Sequence, residues 1–208
     1  RRNWKSIALV VSAVIMLLVF VTGLLQARRQ AQEEADVARQ VTNFMVGVFE
    51  TADPLVRTGR GQKELTSKQL LDNAALRLSY DLVGAPAQLA RMRAVLGVAY
   101  QNSGVSHQAE TLLQQAYEGF MDPRVLRKQD AAAVMADLSV QKTVDGNGRL
   151  GIELADQGLA LLGDDAPPTT KAKLLGAKGL ALVNQQAFGQ GEVVLDEAMD
   201  LYATQHDP

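Results

Sequence analysis

An all-α fold is predicted for this 208-residue chain: a single transmembrane helix, then a juxtamembrane helical segment, then an α-solenoid of helix pairs. Three observations carry that prediction. One apolar run near the N-terminus is long enough to cross a bilayer, the chain from about Pro86 onward has helical periods without strand alternation, and similar helix pairs recur at a fixed offset. The boundaries read from them are 1–29 for the span with its basic flanks, 30–82 for the juxtamembrane segment, and 83–208 for about three repeats, the last of them open to truncation.

The first element is the run from Ile7 to Leu25, nineteen residues without a charge. A helix needs about 20 residues, at about 1.5 Å each, to cross a hydrocarbon core ~30 Å thick. A cleaved signal would instead show a shorter apolar stretch and a small-x-small site. The run ends in Gln26-Ala27-Arg28-Arg29, which offers no such site. The N-terminal flank carries Arg1, Arg2 and Lys5 against Arg28 and Arg29 on the other side, so the positive-inside rule favours a cytoplasmic N-terminus. The lipid bilayer is thus an expected partner of residues 7–25.

The second element is a charged helix that turns amphipathic. Val37, Val41, Phe44 and Val48 fall at heptad spacing and form a possible dimer seam; the alternative is that the stripe packs onto the domain that follows. Ala52-Asp53-Pro54 ends the helix. After a polar loop, Thr66 or Ser67 caps "KQLLDNAALRLSYDL", whose leucines and alanines share one face.

The third element is the repeat region. In "LARMRAVLGVAYQNSGVSHQAETLLQQAYEGF", Leu96, Gly97 and Tyr100 precede the turn and Ala109, Leu113 and Ala116 follow it. Small residues at Gly97 and Ala109 let two helices approach closely, and this pattern resembles a tetratricopeptide repeat. A second copy aligns Gly179, Leu182, Gly191, Leu195 and Ala198 with Gly97, Tyr100, Ala109, Leu113 and Ala116. The offset of 82 residues leaves room for one repeat between them at a step near 41. The segment 129–163 fills the slot, with Asp145 to Gly148 as its turn, although its match to the pattern is poor.

Candidate sites are few. Asp145-Gly146-Asn147-Gly148 is not a calcium loop, because Arg149, Leu150 and Asp156 stand where an EF-hand needs an oxygen ligand, a glycine and a bidentate glutamate. His107 and His206 are isolated, falling at helix-turn and terminal positions, and no carboxylate, serine or second histidine is placed to make either a catalytic base. No cysteine is present, which excludes disulfides and thiolate metal sites. No catalytic constellation, metal site or cofactor motif is found. The near-neutral balance, net charge −2, argues against nucleic acid as a partner.

If the first helix of each repeat lines a groove, as the tetratricopeptide resemblance implies, the groove residues are Arg91, Val98, Gln101 and Asn102 in the first copy and Lys173, Leu180, Val183 and Asn184 in the third. Each copy then offers a basic residue and an asparagine eleven apart, suited to a protein or peptide ligand with an extended backbone or a carboxylate end. The plain alternative is a solvated face. In the middle copy, Ala132 and Thr143 do not repeat the pair.

The apolar span, "FMVGVFETADP", "LTSKQLLDNAALRL" and "LGVAYQNSGVSHQAETLLQQA" occur in that order. Together they resemble the membrane-proximal and repeat region of bacterial serine/threonine protein kinases. The resemblance implies a non-catalytic sensor or interaction region in a single-pass inner-membrane protein, N-terminus cytoplasmic and repeats outside, with its kinase domain upstream. None of the kinase motifs is in this sequence. A membrane-tethered transcription regulator or cyclase, or an exported assembly factor, are the other readings.

Overall fold

The computed structural model of the chain describes residues 66–81, 85–163 and 166–204, together with four isolated helical positions, Met16, Val21, Arg28 and Arg39. The chain divides into two units, Arg1–Thr51 and Ala52–Pro208, and the continuous described stretches belong to the second. That unit is all-α, with no strand among the described residues. Its helices are α1 (Ser67–Asp81), α2 (Pro86–Asn102), α3 (Ser106–Met121), α4 (Lys128–Val144), α5 (Gly148–Leu162), α6 (Pro168–Asn184) and α7 (Phe188–Ala203).

The expected placement as a single-pass inner-membrane protein is corrected here. Among the described residues no helix is long and apolar enough to cross a membrane. The physical reason is plain: the longest helices have 17 residues, short of the ~20 apolar residues a span needs, and every one carries charged side chains. Residues 7–25, which carried the expectation, lie outside the described residues apart from Met16 and Val21. The Val37, Val41, Phe44 and Val48 seam lies outside them as well.

Local chemistry sets the helix ends. Thr66 caps α1 in a reciprocal box: the Gln69 amide donates to Thr66 Oγ1 at 3.3 Å and the Thr66 amide donates to Gln69 Oε1 at 3.0 Å. Proline opens α2 and α6, where a missing N–H costs nothing. Helices α2, α4 and α6 all close in the same way. The amides of Val105, Asn147 and Ala187 reach back to the carbonyls of Tyr100, Lys142 and Leu182, and the residue before each has positive φ: Gly104 at 72°, Gly146 at 84°, Gln186 at 62°. This is the Schellman closure, and it turns the chain sharply into the second helix of each pair.

The result is three pairs, α2 with α3, α4 with α5 and α6 with α7, while α3 packs on α4, α5 on α6, and α4 directly on α6. Matching helix starts lie 42 and then 40 residues apart. The expected even step of 41 is therefore corrected, because the second helix of the first pair and the connection after it are each one residue longer than those of the middle pair.

Glycines let the helices of the pairs approach closely, including Gly191 against Val183 in the third pair and Gly151 against Thr143 and Ser139 in the middle one. Added Cβ atoms at Gly97 and Gly179 would lie 2.7 and 2.5 Å from Cγ of Leu113 and Leu195, so only glycine fits beneath those leucines. At the matching positions of the middle pair stand Ser139 and Ala155, both fully buried. Ser139 Oγ donates to the Gly151 carbonyl at 2.7 Å, and Thr143 Oγ1 donates to the Ser139 carbonyl at 2.8 Å. The core continues between pairs: Leu113, Ala116 and Phe120 of α3 meet Ala131, Val134 and Leu138 of α4, and Ala132, Met135 and Ala136 of α4 meet Leu174 and Ala177 of α6. Helix α1 is tied to the first pair by Tyr100, whose buried hydroxyl donates to Asp72 Oδ1 at 2.7 Å.

Candidate functional site

The observed steps fix which residues of the three first helices correspond. Their least-buried faces give the sets Arg91, Ala133 and Lys173, then Val98, Val140 and Leu180, then Asn102, Val144 and Asn184, at offsets of 42 and 40. Ala132 and Thr143, the expected middle members, are almost fully buried and belong to the interior. With the corrected register the middle helix contributes a half-buried Val140 and a Val144 that is 66% exposed.

The basic residues are engaged. Arg91 Nη2 lies 3.3 Å from Asp130 Oδ2, and Lys173 Nζ lies 2.8 Å from Asp137 Oδ2. Each bonds from an outer first helix onto α4, so the two cations brace the stack instead of waiting for a carboxylate ligand. Gln101 is similarly used, donating from Nε2 to the Asp137 carbonyl at 3.2 Å. Burial pushes the Asp137 carboxyl up from its ordinary value, and Lys173 offsets this only in part. Val98 is half-buried against the core, and Val183 sits over Gly191 of its own partner helix.

Of the expected groove residues, Asn102, Leu180, Val183 and Asn184 are exposed, as is the ion-paired Lys173. Asn184 Oδ1 lies close to Gly148 at the start of α5. What remains is an apolar strip, Val98, Val140 and Leu180, crossing three helices. Asn102, Val144 and Asn184 rim one side of it and the Asp137–Lys173 pair lies on the other. Sequence reasoning missed Asp130 and Asp137. Their signal was present in their spacing, two helical turns apart on α4 and so on one face, but only the packing reveals which cations they meet.

A separate groove of about 520 Å3 lies between α5, α6 and α7, lined by Ile152, Asp156, Lys178, Leu182, Val193 and Val194 among others. Lys178 bonds Asp156 across it at 2.7 Å. Among the described residues no group of histidines and carboxylates could hold a metal ion.

No protein-family model matches the sequence, and no curated protein matches it significantly. Among solved structures, the chain is similar to the crystal structure of BtubC (BKLC) from P. vanneervenii, with a TM-score of 0.53 at 16% identity, over 85% of this chain and 78% of that one. At that identity the likeness is one of fold.

Proposed function

We propose that residues 66–204 form a tetratricopeptide-like α-solenoid whose shared first-helix face binds an extended segment of a partner protein. The observation that carries the reading is the strip Val98, Val140 and Leu180, three apolar residues at matching positions on neighbouring helices, the first two half-buried and Leu180 43% exposed. Such a strip takes apolar side chains of an extended peptide, while exposed amides at Asn102 and Asn184 can donate to and accept from its backbone. The Arg91–Asp130 and Lys173–Asp137 ion pairs join the outer first helices to α4 and so hold them in place, which lowers the ordering cost of binding. The region acts as a non-catalytic interaction module.

Selection of peptides from a random library on the intact chain tests this. Enriched sequences should carry apolar residues at alternate positions, and Asn102→Ala with Asn184→Ala should weaken them about tenfold or more, as for loss of well-placed contacts. Equal capture by that variant and by Val144→Glu would remove the groove. Regulation of a serine/threonine kinase by this module rests on the sequence resemblance. A glycine-rich loop and a His-Arg-Asp motif in the same polypeptide would support it, and a full-length polypeptide without them would end it.

A further inference from the structure

The second helices α3 and α5 each use one face to seat the next pair, and that face repeats on α7. On α3, Phe120 is buried and Tyr117 half-buried against α4, with Glu110 bonded to Lys142 of α4. On α5, the matching Leu159 and Leu162 pack toward Leu174 and Ala177 of α6, and Asp156 bonds Lys178 of α6. At the same offsets α7 presents Met199 and Tyr202, which are 61% and 43% exposed. It also presents Glu192 in the place of Glu110 and Asp196 in the place of Asp156. Both acids are exposed and carry no ion pair among the described residues. Phe188, 63% exposed, extends the stripe at its N-terminal end.

We propose that this face of α7 is a docking surface for a basic amphipathic helix of a partner protein. It goes beyond the groove reading and uses different residues. Charge complementarity chooses the occupant. The helix that seats on α3 supplies Lys142, and the helix that seats on α5 supplies Lys178 four residues earlier in the shared register. Because α7 carries both acids together, its occupant carries lysine or arginine at both positions, i and i+4. The apolar residue corresponding to Val134 and Leu174 stands four residues before the first of them. That helix covers Met199 with its apolar edge and places one cation on each acid, removing an exposed apolar stripe from water while pairing its charged flank.

The test uses the intact 208-residue chain and a fluorescent synthetic peptide of the α6 sequence, Pro168–Asn184, carrying Leu182→Lys so that both lysines are present. Anisotropy titration should show saturable binding that weakens with added salt. Met199→Glu should weaken it about tenfold or more, and so should the combined Glu192→Lys and Asp196→Lys variant. Circular dichroism checks that each variant retains its helix content. Absence of saturable binding overturns the proposal, as does binding that both variants leave unchanged. Binding lost in Val144→Glu would move the peptide to the groove and also overturn it. Concentration-dependent dimerisation of the chain that Met199→Glu abolishes would give the surface to a second copy instead.

Discussion

In the outer pairs the close approach sets a glycine on the first helix beneath a leucine on the second, Gly97 under Leu113 and Gly179 under Leu195. In the middle pair Ser139 stands in the glycine's place and Ala155 in the leucine's, and the hydrogen bond from Ser139 to the Gly151 carbonyl ties the two helices, while Thr143 bonds back to Ser139 within its own helix. The turn that follows the first helix is the same in all three. The difference teaches that one pairing and one turn accommodate two kinds of contact, a glycine beneath a leucine in the outer pairs and a buried serine bonded across to a glycine carbonyl in the middle one. The buried hydroxyls of Ser139 and Thr143 each find a backbone carbonyl.

The strongest way to break that comparison is to spoil one side of an outer contact. Leu113→Ala leaves a cavity over Gly97 and should cost about 3 kcal/mol in urea unfolding. Gly97→Ser alone forces atoms into Leu113 and should cost ~1–3 kcal/mol. Together they rebuild the residue types of the middle pair, and the double variant should lose at least ~1 kcal/mol less than the sum of the two. Strict additivity would show that the contacts are unrelated.

In the middle pair itself, Ser139→Ala removes the bond to the Gly151 carbonyl and should cost about 1 kcal/mol by the same measurement. A smaller effect of opposite sign is expected at the third turn. Gln186 holds the positive φ that glycine holds in the other two. Gln186→Gly relieves about 1–2 kcal/mol of left-handed strain but gives back ~0.5–1 in chain entropy. It should therefore raise stability slightly, visible as a higher melting temperature.

The smallest effect concerns pH. Burial raises the folded Asp137 carboxyl, so the unfolded chain ionises at lower pH than the folded one. Ionisation therefore opposes folding as pH rises through the folded value, and the penalty is absent where the carboxyl is protonated in both states. Asp137→Asn is free of it. The stability of that variant relative to the natural chain should improve from acid to neutral pH in paired melting curves. A relative decline over that range would mean that Lys173 dominates.

The outer pairs were legible because Gly97, Tyr100, Ala109 and Leu113, with their counterparts 82 residues on, sit at positions where residue type alone betrays a close helix contact. The middle pair was legible only as helices and a turn. With Ser139 in the glycine's place and Ala155 in the leucine's, neither residue carries the pattern, and an assumed step of 41 selected the buried Ala132 and Thr143 for the exposed face. At the candidate site, Leu180, Asn102 and Asn184 were recognisable because periodicity fixes which side of a helix faces out. The engagement of Arg91 and Lys173 was not, since each ion pair joins residues 39 and 36 positions apart on different helices. Pattern reports the face of a helix, whereas the partner of a charge depends on how helices are stacked.

The most direct measurement is an amide NMR map of the labelled chain titrated with a peptide obtained by selection. Perturbations concentrated at Asn102, Val144, Leu180 and Asn184 are the expected result and would place the ligand along the three first helices. Perturbations gathered instead around Ile152, Leu182 and Val193, with the first-helix face silent, would contradict it and assign binding to the groove between α5, α6 and α7.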